Sequence, residues 1–396
     1  MELSLSVGDT LPSDGTTGTL VGRAWVPGNP GGPSVVLAQA DGLYDLTPRF
    51  PTLSGLLNSS DPTEAAHRAA REAKRIGSLK ECLSNTPSDS RAPGKPYLLA
   101  PADLQALKAC GVTFVASMLE RVIEERAKGD PKAAESIRAA INDEIGGNLA
   151  RVKPGSPEAE RLKQALIQHG LWSQYLEVGI GPYAEIFTKS QPMSGVGTGA
   201  DIGIHPESNW NNPEPEVVLA VNAAGSIVGA TLGNDVNLRD FEGRSALLLG
   251  RAKDNNASCA LGPFIRLFDA GFALEELRGL VLTVRVDGPD QFVLDDSSSM
   301  AKISRDVTDL VTQTIGRNHQ YPDGFMLFCG TMFAPVKDRD APGLGFTHKV
   351  GDIVTIATPK LGALVNRVKH CGDVAPWTFG TGALMANLAQ RGLLRH

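Results

Sequence analysis

Several features that mark particular classes of protein are absent or scarce in this sequence. Its 396 residues include five cysteines, an odd and widely spaced set without a C-x-x-C pair, which argues against a disulfide framework and a zinc knuckle. No stretch approaches the roughly 20 apolar residues that a membrane-spanning helix needs. Basic side chains (38) do not outnumber acidic ones (44), whereas phosphate binding requires clustered cations. We therefore expect a cytoplasmic protein with reduced thiols, and neither nucleic acid nor membrane as a partner.

The predicted secondary structure changes along the chain. Strand-like TLVGRAWVP and SVVLAQ, a helix over 62–81 and the Pro- and Ser-rich segment 84–96 predict a mixed α/β domain over 1–96. Residues 101–128, 131–150 and a stretch ending near 171 favour helices, which form a helical lid or insertion over 101–171. From 176 to 370 the runs EVVLAV, SIVGATL, LVLTVRV, FMLFCGT and DIVTIA predict strands, with a helix over 301–315. The prediction is an α+β fold with a β-rich domain over 97–396.

An acidic pair stands at the start of one predicted strand. Glu214 and Glu216, in NNPEPEVVLAV, are two residues apart, and residues i and i+2 of a strand point to the same side. Asp235 follows the next strand and returns beside the glutamates if the two strands form a hairpin. Carboxylates on one side repel each other unless a cation lies between them, and oxygen ligands suit Mg²⁺ or Mn²⁺. These three residues are our candidate metal ligands.

Plainer interpretations of these motifs stay open at this point. Acidic pairs at strand starts are more often solvated surface, and Lys253, in RAKDNNAS, can simply pair with Asp235 or Asp254. The dense charged run between apolar strands favours a polar pocket instead. The glycine-rich run over 195–199 lacks the Gly-x-Gly-x-x-Gly register, and no G-x-S-x-G elbow occurs, so neither a nucleotide loop nor a serine hydrolase is indicated.

The order of the motifs resembles the fumarylacetoacetate hydrolase superfamily. The pattern E-x-E, then N-D-V-x-x-R-D, then a lysine and G-P matches PEPEVVLAV, GNDVNLRD, Lys253 and Gly262-Pro263. The resemblance continues through Ser297, Ser298 and Met300, the CGTMFAP block and GDIVTIATPKLGALVNRV. Within the family, SMLERVIEER, WSQYLEVGIGPYAEIFTK and WNNPEPEVVLAVN are most similar to bacterial members that dehydrate 2-keto-3-deoxy-pentonates.

This resemblance implies a β-rich catalytic fold, Mg²⁺ on the three carboxylates, and a homodimer or homotetramer. It implies that Lys253 lies at the substrate and that Thr331 closes the pocket on the side of the substrate carboxylate. The further residues that we predict to bind substrate are Ser117, Lys189, Pro263, Ser298 and Gly330. For Lys189, in FTKSQP, the alternative is that it only borders the loop over 195–199.

The reaction depends on a short stretch before residue 121. Acylpyruvate hydrolases of the family carry an aromatic-x-x-His-x-x-Glu stretch, whose His–Glu pair activates a water. The similar residues here are Phe114, Ser117 and Glu120, with serine in place of histidine. Serine needs a partner to act as a base near neutral pH, whereas a glutamate can still move a proton, which favours elimination.

We therefore expect an enzyme that acts on a small 2-oxo acid. The favoured reaction is a Mg²⁺-dependent dehydration of a 2-keto-3-deoxy-D-pentonate to 2,5-dioxopentanoate, with Mn²⁺ as an alternative cofactor. Glu120 and Lys253 are the predicted catalytic residues, and an amine acts as a base only if its pKa falls. The alternatives are a hydrolase that cleaves a 2,4-diketo acid (an acylpyruvate) to pyruvate and an acid, and a non-catalytic interaction module. The last is disfavoured because all three carboxylates and the lysine are present.

Overall fold

The computed structural model describes residues 2–128, 130, 132–134, 152–168, 170, 172–333 and 335–394. Most of the helix predicted over 131–150 lies outside these residues. The strands are β1 (Leu20–Val26), β2 (Gly32–Gln39), β3 (Gly42–Asp45), β4 (Lys74–Gly77), β5 (Tyr97–Leu99), β6 (Ala106–Gly111), β7 (Glu185–Ser190), β8 (Asp201–Ile204), β9 (Asn211–Asn212), β10 (Pro215–Val221), β11 (Ile227–Asp235), β12 (Asn237–Leu238), β13 (Cys259–Leu267), β14 (Val281–Asp287), β15 (Val293–Ser299), β16 (Phe325–Phe328), β17 (Ile353–Thr358) and β18 (Gly362–His370). The helices are α1 (Val7–Thr10), α2 (Leu53–Leu57), α3 (Pro62–Ala70), α4 (Leu79–Ser84), α5 (Val115–Arg126), α6 (Pro157–Gln168), α7 (Gln174–Ile180), α8 (Arg239–Arg244), α9 (Leu249–Lys253), α10 (Leu274–Arg278), α11 (Val307–Thr314) and α12 (Thr381–Gln390).

A large mixed sheet runs through the whole molecule. Its strand order is β4-β3-β2-β1-β13-β11-β10-β16-β6-β7, and β5 also pairs with β1. The pair β16–β6 is parallel, whereas β1, β13, β11 and β10 pair antiparallel. The N-terminal strands join the rest through β1 and β13, where Leu20 lies opposite Arg266. The sheet therefore crosses the boundary predicted at residue 96, and the division into two domains stays a prediction.

A second sheet, of order β15-β14-β17-β18-β8, shares a core with one face of the large sheet. Val217 and Leu219 of β10 lie in this core together with residues of β14 and β17. Val218 and Ala220, which alternate with them, lie in a separate core with residues of α2 and α3. Strands that are buried on both faces form continuous apolar runs rather than alternating patterns. This burial explains the run EVVLAV and the strands near it.

Most of the predicted elements after residue 176 are present. The five predicted strands are β10, β11, β14, β16 and β17, and the helix predicted over 301–315 is the shorter α11. The helix prediction is wrong over residues 106–111, which form β6. Leu107 and Ala109 are buried between less buried neighbours, and β16 and β7 pair with β6 on its two sides. Tertiary pairing overrides the local preference at this position.

The cysteines and the lengths of the helices were considered in the sequence analysis. All five cysteines are free thiols, four of them buried. Among the described helices, none combines the length and the apolar character that crossing a bilayer requires. The cytoplasmic location and the homo-oligomer stay predictions.

Candidate metal centre

Three carboxylates converge where β10 and β11 run side by side. The strands pair antiparallel with Pro215 opposite Asn234, and the backbone N–H of Asp235 donates to the carbonyl oxygen of Glu214 at 3.0 Å. Glu216 lies two residues beyond Glu214, so their side chains share one side of the strand. One oxygen from each carboxylate lies within 4.8 Å of the other two, and all three residues are buried. The hairpin inferred from the sequence is present, and we call Glu214, Glu216 and Asp235 the carboxylate triad.

Two buried lysines neutralise part of the triad. The Nζ of Lys253 lies 2.5 Å from Oε2 of Glu214 and 3.2 Å from Oδ2 of Asp235. The Nζ of Lys189 lies 2.8 Å from Oδ1 of Asp235 and donates to the carbonyl oxygens of Val236, at 3.1 Å, and of Lys253. With a longer contact to Oγ of Ser258 at 3.4 Å, these acceptors use all three protons of the ammonium group. Lys189 therefore orients Asp235, and its predicted contact with substrate stays a prediction.

Burial and charge move the pKa values of these groups in different directions. Burial raises the pKa of Glu216 well above its ordinary value, and the charges of Asp235 and Glu214 raise it further. Burial also raises the pKa of Glu214, with Lys253 opposing. For Asp235 the effect of burial is outweighed by Lys189 and Lys253, so its pKa is lowered. Burial opposes the charge of Lys253, but Asp235 and Glu214 outweigh burial and raise the pKa of the amine.

Glu216 keeps one oxygen open to a ligand. Its Oε2 accepts a hydrogen bond from the backbone N–H of Gly330 at 2.7 Å, and its buried Oε1 has no hydrogen-bond partner among the described residues. Gly330 has a φ of +98°, and a Cβ at this position would lie 2.0 Å from Oγ1 of Thr113. Only glycine therefore presents this N–H without strain. Thr331 is also buried, and its hydroxyl donates to the carbonyl oxygen of Phe333 at 2.8 Å.

Helix α5 reaches the triad from a distant part of the chain. One amino group of the buried Arg121 pairs with Glu214, across 93 positions of sequence. The other, NH1, lies 2.5 Å from Oε2 of Glu124 and 3.0 Å from Oε2 of Glu242. Because Glu242 belongs to α8, this one guanidinium joins α5, α8 and the start of β10.

Arg239 extends this network to a predicted catalytic residue. Its Nε lies 2.6 Å from Oε1 of Glu124, and its NH2 lies 2.8 Å from Oε2 of Glu120. The guanidinium also lies 4.3 Å from the centre of the Trp210 ring. The hydroxyl of Ser117, on the same face of α5, donates at 2.9 Å to a backbone carbonyl one turn earlier in the helix. The structure therefore places Glu120 and Ser117 on the helix that contacts the triad.

Two predicted substrate-binding residues lie on strands that do not carry the triad. Ser298 is on β15, the edge strand of the smaller sheet. Pro263 is on β13, where Cys259 lies opposite Asp235. Four residues further along the strand place Pro263 roughly 13 Å from that point. The G-P pair thus belongs to the sheet that supports the site, and the contact of Pro263 with substrate has no support from this geometry.

Four charged residues near the triad were not predicted: Arg121, Glu124, Glu185 and Glu242. Arg121 and Glu124 follow Ser117 at spacings of four and seven, so a helical projection of SMLERVIEER groups them on one face. Glu185 of β7 and Glu242 of α8 have no comparable spacing in the sequence, because sheet pairing and helix packing bring them near the triad. Burial raises the pKa of Glu185 to about 7, and the charge of Glu242 contributes in the same direction.

The charges around the triad suit a divalent cation. The surrounding acids are Glu120, Glu124, Glu185 and Glu242, and the cations are Lys189, Lys253, Arg121 and Arg239. With the triad included, carboxylates outnumber cations by three, and buried carboxylates require compensating positive charge. An oxygen-only donor set is what Mg²⁺ and Mn²⁺ prefer. The residues present therefore fit the ion expected from the sequence.

A family model matches the part of the chain that contains the triad. Residues 191–369 match the model described as fumarylacetoacetate (FAA) hydrolase C-terminal. Residues 191–369 are therefore similar to this family's C-terminal domain. The matched segment includes the triad and Lys253, whereas α5, with Glu120 and Arg121, precedes it.

Two curated relatives are similar to about half of the chain. A 2-dehydro-3-deoxy-D-arabinonate dehydratase of Saccharolobus solfataricus is 32% identical over 185 residues, which are 47% of this chain and 58% of that protein. A probable 2-keto-3-deoxyxylonate dehydratase of Haloferax volcanii is 29% identical over 194 residues, which are 49% of this chain and 63% of that protein. This chain thus spans about three fifths of the length of the curated relatives that it matches.

Solved structures share the fold well beyond residues 191–369. A 2-keto-3-deoxy-D-arabinonate dehydratase complexed with magnesium and 2,5-dioxopentanoate has a TM-score of 0.58 at 21% identity. A fumarylacetoacetate hydrolase from psychrophilic Exiguobacterium antarcticum has a TM-score of 0.55 at 16% identity. Each alignment covers 89% of this chain and 99% of the other. The predicted β-rich, fumarylacetoacetate-hydrolase-like fold is therefore confirmed.

Proposed function

We propose that this protein is a metal-dependent hydro-lyase that converts a 2-keto-3-deoxy-D-pentonate into 2,5-dioxopentanoate. The observation that carries the proposal is the buried carboxylate triad, with one oxygen of Glu216 open and Lys253 between the other two carboxylates. The two curated relatives that are named as dehydratases support the reaction type. The neighbouring structure that holds magnesium and 2,5-dioxopentanoate supports the cofactor and the product.

The triad is the proposed place of the metal. Glu214, Glu216 and Asp235 would hold Mg²⁺ or Mn²⁺, which supplies a Lewis acid that withdraws electrons from the ketone of a 2-oxo acid. Lys189 keeps Asp235 in place from the protein side. The N–H of Gly330 fixes the second oxygen of Glu216, so that the open oxygen has a defined direction.

Dehydration needs one group that accepts a proton from C3 and one that gives a proton to the leaving C4 hydroxyl. Because the neighbouring carboxylates raise the pKa of Lys253, its amine keeps its proton and donates to a substrate oxygen, so Glu120 is the proposed base of the two predicted catalytic residues. Glu120, held by Arg239, accepts the C3 proton. Glu185, whose pKa burial raises to about 7, supplies a proton to the C4 hydroxyl, which leaves as water.

The remaining steps move protons within the substrate skeleton. Loss of water creates a double bond between C3 and C4. A proton then passes from C5 to C3, and the resulting C4–C5 enol ketonises, which makes C5 an aldehyde. A proton carrier near C3 and C5 is required for this shift, and Glu120 is the proposed carrier because Arg239 holds its carboxylate in place. No external oxidant or reductant is needed.

The alternative reaction, hydrolysis of an acylpyruvate, has less support. It requires a base that activates water at the position of Ser117. Among the hydrogen bonds of the described residues, the Ser117 hydroxyl is joined to the carbonyl of Phe114. A hydroxyl that donates to a backbone carbonyl has no base of its own.

A product analysis tests the proposed function. The purified protein is incubated with Mg²⁺ and, separately, with both C4 epimers of 2-keto-3-deoxy-pentonate and with acetylpyruvate, and products are identified by mass spectrometry. We expect 2,5-dioxopentanoate from one epimer, loss of this activity with EDTA and its recovery with Mg²⁺. Pyruvate from acetylpyruvate alone would show the hydrolase instead. A folded, Mg²⁺-binding protein that yields neither product would contradict both enzymatic assignments and favour an interaction module.

A further inference from the structure

One cavity of the molecule is lined by residues outside the carboxylate triad. It has a volume of about 360 Å³ and is lined by residues of β1 and β5, of the segment 193–200 and of the segment 375–379. None of the three triad carboxylates lines it in the described part of the chain. Cavities of some 300–1,000 Å³ are the usual size for small-molecule sites. The question is which chemistry its walls select.

A buried guanidinium lines this cavity and has a weak acceptor at one of its amino groups. Arg23 is 5% exposed, and its NH1 donates to the carbonyl oxygen of Ala102 at 2.5 Å. Among the described residues, the hydrogen-bond partner of its NH2 is the sulfur of Met193 at 3.5 Å, and a thioether is a weak acceptor. The nearest carboxylate oxygen, of Asp103, lies 3.8 Å from Nε. That carboxylate already accepts backbone N–H groups, including that of Ser54 at 3.0 Å. An oxygen anion in the cavity would complete the bonds of NH2.

A second guanidinium strengthens the case for an anion. Arg91 lines the same cavity, and its buried Nε has no hydrogen-bond partner among the described residues. Its NH2 donates to the carbonyl oxygen of Thr86 at 2.7 Å, so the side chain is held in place. In the described part of the chain no carboxylate lies within 4 Å of Arg91, which is half-buried. A half-buried cation without a close carboxylate partner favours a bound anion.

Aromatic side chains line part of the same cavity. Trp25 stacks with Tyr97 at 6.3 Å between ring centres and an angle of 10°, and Phe379 meets Trp25 edge-on at 5.9 Å. Arg91 lies over the Tyr97 ring at 3.9 Å. Trp377 also lines the cavity and is 46% exposed, a large fraction for a tryptophan. Aromatic side chains next to guanidinium groups favour a ligand that is both flat and negatively charged.

We propose that this cavity is a second ligand site, for a small organic anion that carries a flat ring, such as an aromatic carboxylate. The carboxylate lies between Arg23 and Arg91, and the ring lies against Trp25 and Trp377. The proposal does not rest on the proposed function, because the cavity and the triad share no residue.

Benzoate is a suitable probe of the site. Its binding is measured by calorimetry and by tryptophan fluorescence, with saturating Mg²⁺ present, against acetate (which lacks the ring) and benzyl alcohol (which lacks the charge). We expect one benzoate site per chain and affinity at least about tenfold above that for either analogue, since charge-assisted bonds and ring contacts each contribute. Equal affinity for benzoate and both analogues, or no saturable benzoate binding, overturns the proposal.

Variants locate the binding. Arg91→Gln is expected to weaken benzoate binding by about tenfold or more, and Trp377→Ala by several-fold, with both variants folded by thermal unfolding. Arg68→Gln, whose side chain is 64% exposed on α3, is the matched control and keeps full affinity. Glu216→Gln also keeps full affinity, because its change lies at the triad. Benzoate binding that both cavity variants retain, or that Glu216→Gln abolishes, contradicts the assignment.

Discussion

The carboxylate triad and helix α5 contribute to the same site but are built in different ways. The triad comes from one hairpin, in which neighbouring strands bring three carboxylates together through backbone pairing alone. Helix α5 approaches from 93 positions earlier in the chain and depends on side-chain ion pairs, with Arg121 between Glu214, Glu124 and Glu242.

This difference assigns two tasks to two pieces of the chain. The hairpin provides a fixed cluster of oxygens, and such a cluster can serve many reactions of 2-oxo acids. Helix α5 supplies Glu120 and Ser117, and Ser117 stands where the family's hydrolases carry a histidine. We infer that metal binding belongs to the hairpin and that the choice of reaction belongs to the helix that covers it. Substitutions in the hairpin and in α5 test this division.

Glu216→Gln is expected to have the largest effect. The amide keeps the shape of the side chain but removes a charged ligand, so turnover should fall by about 1,000-fold or more, or roughly 4 kcal/mol of transition-state stabilisation. The fold should be retained, because burial already raises the pKa of Glu216 and disfavours its charge. Steady-state rates, Mg²⁺ calorimetry and thermal unfolding measure these quantities.

Glu207→Gln is the control for this variant, since the Glu207 side chain is 69% exposed and pairs only with Arg251 among the ion pairs described. It should leave both rate and Mg²⁺ affinity unchanged. Chelator-resistant turnover by Glu216→Gln would show that the triad does not hold the metal.

Arg121→Met tests the other side of the division and is expected to act on stability. It leaves three carboxylates without their shared cation, and removing one partner of a buried ion pair costs about 3–5 kcal/mol. Urea unfolding without added metal measures this loss. Arg126→Met, on the exposed face of the same helix, should change the free energy of unfolding by no more than about 0.5 kcal/mol. Similar losses in the two variants would mean that α5 is not tied to the triad through Arg121.

Glu185→Gln is expected to have the smallest effect on stability, seen in the pH dependence of the melting temperature. Because burial raises the pKa of Glu185 from 4.5 to about 7, the folded chain keeps a proton that the unfolded chain releases. The stabilising contribution is full below 4.5, declines as the pH rises to about 7, and then stays constant. The glutamine variant should remove this decline from a plot of melting temperature against pH.

The same variant tests the proposed proton donor. Turnover of the unchanged protein should fall as the pH rises above about 7, where Glu185 loses its proton, and the variant should be slower without that decline. Glu207→Gln should keep both pH profiles. A decline that persists unchanged in Glu185→Gln would assign the proton to another group.

Local sequence patterns were enough to predict the hairpin and its three carboxylates, because strand alternation and one turn decide which side chains meet. The same reasoning did not find β6, whose pairing with β16 and β7 depends on strands far away in sequence. Arg121 could have been found from helical spacing, since it shares a face with Ser117. Glu185 and Glu242 could not, because their approach to the triad depends on how whole elements pack. The candidate metal ligands were predicted from the sequence. Of the two proposed proton carriers, Glu120 was predicted and Glu185 was not.

The pairing of β1 with β13 has a consequence for any shortened chain. β13 lies between β1 and β11, and β11 ends at Asp235. A protein that began at residue 97 would expose the hydrogen-bonding edge of β13, and open edges of this kind recruit other chains. Swapping amino-terminal segments between relatives would therefore succeed only where the register of Leu20 against Arg266 is kept. The first 96 residues thus cover the edge of β13, in the sheet that also contains the carboxylate triad.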